Sequence, residues 1–76
     1  MEVFPTITQH FVNVISPLVD ANRIVVTNTL GQEMFSQNMN NVNTTIDVSG
    51  WETGIYWVLI KSGNSQLACR RFYKAE

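Results

Sequence analysis

Hydrophobic and polar residues alternate along this chain in short runs, and no stretch of ten or more residues shows a helical period. Alternation over a few residues marks a strand with one buried face, whereas a surface helix spaces its apolar positions three and four apart. The clearest run is Ile55 to Lys61, which puts Tyr56, Val58 and Ile60 on one face and Ile55, Trp57 and Leu59 on the other. Arg23 to Asn28 is a second strand, with Ile24 and Val26 opposed to Val25 and Thr27. Asn28-Thr29-Leu30-Gly31 closes a hairpin, because Asn bonds its own backbone and Gly accepts the dihedrals a turn demands. Gln32 to Gln37 is the return strand, with Met34 facing inward.

Shorter runs fill the rest. Phe4-Pro5-Thr6-Ile7 reads as one opening strand, confined by Pro5 to a sheet edge. His10 to Ile15 is a strand whose inner face is open. Putting Val12 and Val14 inward exposes Asn13, but it also turns Phe11 and Ile15 outward. Ser16 to Asn22 is a turn, Asn38 to Asn43 a loop, and Thr44 to Val48 a strand with Ile46 and Val48 on one face. Ser49 to Gly54 is a corner, and Gln66 to Lys74 returns after a turn at Ser62 to Ser65. About seven strands between such turn signals predict an all-β fold, a small Ig-like antiparallel β-sandwich.

Length and composition narrow this further. Seventy-six residues make one domain with a thin core. Charged residues are 14% of the chain, against about 25% in an average soluble domain. Five basic residues and a net charge of −1 leave no nucleic-acid footprint. A single cysteine, Cys69, excludes an internal disulfide and reads as a small hydrophobe in a strand. The residues after Met1 carry neither a basic n-region nor an apolar h-region, so the chain is expected to be a fragment of a longer precursor.

Candidate chemistry is sparse. The lone His10 has no nucleophile near it in sequence and reads as a surface or rim residue. Cys69 and His10 cannot complete a four-ligand zinc site, and the acids are too scattered for a calcium loop. There is no phosphate-binding Gly-rich loop. The expectation is a non-enzymatic domain with no cofactor, no metal and no small-molecule substrate.

Four blocks in order carry a resemblance: Phe4-Pro5 at the start, Ile24 to Gln32 around Gly31, Ile46 to Val58 around Gly54-Ile55-Tyr56, and Arg70-Arg71-Phe72-Tyr73-Lys74 at the end. In this series the chain resembles the C-terminal sorting domain of the type IX (Por) secretion system of Bacteroidetes. That family opens on Tyr-Pro-Asn-Pro, has Asp-x-x-Gly-Arg at the hairpin and Gly-x-Tyr before the strong strand, and closes on a Lys-rich strand. Here Thr6 and Ile7 follow Pro5, Asn28 stands for the Asp and Gln32 for the Arg, and Ala75 and Glu76 follow Lys74. Pro5, Asn28, Gly31, Gly54 and Tyr56 are the positions that match as fold-keeping residues, and a buried Tyr56 hydroxyl calls for a partner such as a backbone carbonyl at the corner.

The resemblance implies a secretion signal. The precursor reaches the periplasm, the type IX machinery reads the folded domain, and the cargo passes to the cell surface or beyond, where a sortase-like peptidase commonly removes the signal. Two surface features suggest where reading occurs. Arg70, Arg71 and Lys74 put positive charge on the last strand, to dock on an acidic receptor or simply to guard a sheet edge. Ile55, Trp57 and Leu59 form either a second core layer, the expectation for a sandwich, or a contact patch. The alternative function is a binding or structural module of a secreted enzyme or adhesin, with Trp51 and Trp57 stacking on sugars or the Trp57 face supporting weak self-association.

Overall fold

The computed structural model describes residues 2–16, 23–39 and 41–76. Among them are eight strands: β1 (Glu2–Phe4), β2 (Ile7–Thr8), β3 (Phe11–Ile15), β4 (Arg23–Thr27), β5 (Glu33–Asn38), β6 (Asn43–Asp47), β7 (Gly54–Ser62) and β8 (Ser65–Lys74). They form a three-stranded sheet in the order β1-β3-β6 and a five-stranded sheet in the order β2-β8-β7-β4-β5. The fold is an all-β sandwich. Every ladder is antiparallel except the short parallel one that pairs Ile7 and Thr8 of β2 with Tyr73 and Lys74 of β8.

The core fills the space between the sheets. Val12 and Val14 of β3, with Ile46 and Val48 at β6, face Ile24, Val26, Tyr56, Val58, Ile60 and Phe72 of the larger sheet, and all are buried. This decides the open face of β3, since Phe11 is exposed and Ile15 half-buried. Each such side chain contributes about 1.5–3 kcal/mol on leaving water. No disulfide supplements them, because Cys69 is free.

The structure corrects the sequence-based expectations at three places. The single opening strand is two, because the chain turns at Pro5 and its halves join different sheets, β1 pairing with β3 and β2 with β8. Met34 does not face inward. A register shift opposite Val26 and Thr27 inserts an extra residue in β5, so Met34 is 42% exposed and Phe35 packs on the core instead. The last strand is only in part a sheet edge, because β2 covers its C-terminal end. Most of the turn expected at Ser16 to Asn22 lies outside the described residues.

Two bends fix how the strands meet. At the β4–β5 hairpin the Asn28 carboxamide oxygen accepts the backbone N–H groups of Leu30 and Gln32, at 2.9 and 3.0 Å, while Gly31 takes φ +82°. At the corner before β7, Trp51 N–H donates to Val48 C=O at 3.0 Å. There the Ser49 N–H donates to the Asp47 carboxylate at 3.0 Å and, with the Ser49 side chain, holds Asp47 below the usual carboxylate range.

Candidate functional site

The larger sheet has one face on the core and one toward solvent. Because β7 lies between β8 and β4, its two faces are filled differently. Tyr56, Val58 and Ile60 point inward. Ile55, Trp57 and Leu59 point outward, in register with Tyr73, Arg71 and Cys69 of β8. Among the described residues no second core layer covers them: Ile55 is 39% and Trp57 37% exposed, and Leu59 is half-buried. The sandwich expectation for this stripe therefore fails, because the other sheet packs only against the opposite face. Val25 of β4 shares the outer face beside Leu59 and is buried in the strip.

Three aromatic rings build the inner end of the same strands. Trp51 lies 5.0 Å from Tyr56 and 6.4 Å from Phe72, and Tyr56 stacks on Phe72 at 5.5 Å. The Tyr56 hydroxyl donates to Glu52 C=O at 2.7 Å, which ties the corner to β7. Trp51 is thus a half-buried plug, and Trp57 is the more exposed of the two indoles.

Burial pushes the Tyr56 hydroxyl above its usual value of 10.0, and the Glu52 carboxylate adds to the rise. A raised folded-state value means stability that is complete below the unfolded value and lost as pH rises through the folded one. The Tyr56→Phe variant is expected to lose about 1 kcal/mol at neutral pH. It should also decline less than the parent above roughly pH 10. Denaturant midpoints collected across that range check both effects.

The three cations expected to act together are separated. Lys74 lies on the inner face, 5% exposed, and its ammonium donates to Ala75 C=O at 2.7 Å. It cannot share a surface patch with Arg71, because even-numbered residues at this end of β8 point between the sheets, and Arg70 starts from that same inner face. Arg71 is exposed on the outer face, its guanidinium 6.0 Å from the Trp57 ring centre. Such a contact contributes about 0.5–1 kcal/mol at an exposed site. Arg70 is exposed and bends back along its own strand, donating to Cys69 C=O at 2.9 Å.

A groove of about 400 Å³ opens where the outer face meets the edge of β8, lined by Thr6, Ile55, Arg71, Phe72 and Tyr73. In the sequence Thr6 reads only as part of the opening strand and not as a site residue, and only the break at Pro5 could have signalled its place here. No group of three or more His, Cys, Asp or Glu residues that could hold a metal occurs among the described residues. His10 is exposed, its backbone N–H bonded to the Thr8 hydroxyl at 3.3 Å. The outer face thus carries an aromatic and apolar stripe, a guanidinium over it, and a strand edge beside it.

The family model described as a secretion system C-terminal sorting domain matches residues 2–73. No curated protein and no solved structure matches the chain significantly. The match spans both sheets, from β1 to Tyr73 near the end of β8, and so takes in the hairpin at Gly31, the corner at Gly54 and the outer stripe. The chain belongs to the family of secretion-system C-terminal sorting domains, and its role is that of a sorting signal for export.

Proposed function

We propose that this domain is the address of a longer precursor whose cargo precedes it, and that it directs that cargo from the periplasm through the type IX machinery to the cell surface. There a sortase-like peptidase removes it. The observation that carries this reading is the family match over residues 2–73, which covers the whole sandwich rather than one motif. The geometry supports it. The domain offers no clustered catalytic or metal-binding groups among its described residues, while its larger sheet exposes Ile55, Trp57 and Tyr73 on one face. Grouped exposed aromatics mark interaction surfaces. Arg71 supplies positive charge on that face and Arg70 supplies it along the adjoining strand edge, while Lys74 holds the end of β8 in place from within.

The test is a periplasmic reporter enzyme carrying this chain at its C-terminus, expressed in a bacterium that has the type IX system. The fused reporter is expected at the cell surface or in the medium, and the reporter alone in the periplasm. Export of the reporter without the domain, or periplasmic retention of a folded fusion, overturns the reading. Loss of the domain's mass from the surface-borne product, dependent on the peptidase, tests the cleavage step.

A further inference from the structure

The five-stranded sheet ends in a strand position that is only half filled. β2 occupies it beside Tyr73 and Lys74, where Tyr73 N–H donates to Thr6 C=O and Ala75 N–H to Thr8 C=O, each at 2.7 Å. Backbone groups two residues apart on a strand point the same way. Arg71 and Cys69 therefore direct their N–H and C=O groups into the same line, before β2 begins. No described strand pairs with β8 there. β1 lies against β8 but makes its ladder with β3.

Along this part of the edge the Arg70 guanidinium donates to the Cys69 carbonyl at 2.9 Å. Arg71 stands beside it, over Trp57. Neither contact is with a carboxylate, so two cations flank an open row of backbone donors and acceptors. The groove lined by Thr6, Ile55, Arg71, Phe72 and Tyr73 closes the far end. An unpaired edge is a template for another strand, and its flanking charge selects the partner.

We propose that an extended, acidic segment of a partner protein adds to β8 as a strand along Cys69 to Arg71, beyond the bulge at Leu67. It continues the line of β2, and one of its carboxylates draws the Arg70 guanidinium away from Cys69 C=O. This rests on the sorting reading, and it names the chemistry of the part of the export machinery that reads the signal. At rest, Arg70 keeps the edge from pairing with like edges. On binding, the same guanidinium pairs bidentately with the incoming carboxylate.

The test uses the whole chain and a short, dye-labelled peptide of alternating glutamate and valine, followed by fluorescence anisotropy. Controls are the same peptide with lysine for glutamate, and one with N-methyl groups on alternate amides. The acidic peptide is expected to bind at least about tenfold more tightly than either control, as loss of charged or ladder hydrogen bonds requires. Cys69→Pro removes a donor that faces the open line and not β7, so the β7 ladder survives and peptide binding falls. Arg70→Glu tests the charge independently of any folding defect: it should lose the acidic peptide and gain the lysine one.

Equal affinity for all three peptides overturns the proposal. So does binding that Cys69→Pro leaves unchanged, or a concentration-dependent dimer, seen by light scattering, that excludes the peptide. In the reporter assay, normal export of a folded Arg70→Glu fusion overturns the strand-addition proposal while leaving the sorting reading intact. Export without the domain sinks the sorting reading instead.

Discussion

Phe72→Ala is expected to abolish cooperative folding at growth temperature and to leave a fused reporter in the periplasm. Phe72 is the largest fully enclosed side chain of the core, stacked on Tyr56 and near Trp51. Truncating a buried Phe costs about 3–5 kcal/mol, from lost transfer energy and from the cavity left behind. A chain of 76 residues is expected to have only roughly 4–11 kcal/mol in total. The substitution therefore consumes a large share of the stability, at a site where three rings support one another. Trp57→Ala is the matched control, because it removes a ring of similar bulk from the outer face of the neighbouring strand. Its cost should stay near ~1 kcal/mol, as its main specific contact is the Arg71 cation. Thermal melts followed by circular dichroism separate the two. If Phe72→Ala melts within a few degrees of the parent, the inter-sheet aromatic cluster is not what holds the sandwich together.

The contrast between these rings shows what the sequence could reveal. Alternation told inner from outer on β7 by grouping Tyr56, Val58 and Ile60 against Ile55, Trp57 and Leu59. It could not say that only the first group meets the other sheet, because β7 is apolar on both faces and periodicity carries no label for solvent. The hairpin was legible because Asn28 and Gly31 each solve a local problem, one accepting two N–H groups and the other taking a positive φ. Met34 was misplaced for a related reason. A one-residue bulge reverses which side chains face the core, and it lies in the pairing of two strands rather than in either one.

Charge misled in the same way. Arg70, Arg71 and Lys74 are neighbours in sequence, yet the pleat sends Arg71 outward and Lys74 inward, and Arg70 escapes enclosure only by bending along the edge. A long apolar stem lets a lysine lie between sheets when its ammonium finds a carbonyl, here that of Ala75. The half-filled strand position could not be read from β8 alone. It exists because the chain changes sheets at Pro5 and joins β8 only from Ile7 onward.

The corner at Gly54 gives the second large effect, and it isolates backbone from packing. Gly54 opens β7 with φ +154°, opposite Lys74 of β8 and two residues before Tyr56. A Cβ built there meets nothing within 4 Å, so a side chain would fit the space. The obstacle is the dihedral, which L residues rarely adopt, and holding one there costs about 1–3 kcal/mol. Gly54→Ala should therefore destabilise the domain by that amount, through strain or through a shift of the first residues of β7 that breaks the Tyr56 bond to Glu52. Gly50→Ala, in the same corner and equally open, has no positive φ and should change stability by no more than ~0.5 kcal/mol. The decisive member of the series is D-alanine at position 54, introduced by chemical synthesis. It adds the same methyl group but reverses the chirality, so φ +154° becomes ordinary extended backbone. The D-residue should match or exceed the parent in denaturant midpoint, while the L-residue falls. Equal loss from both would assign the requirement for glycine to space or to chain freedom, and would detach Gly54 from the geometry that sets Tyr56 against the corner.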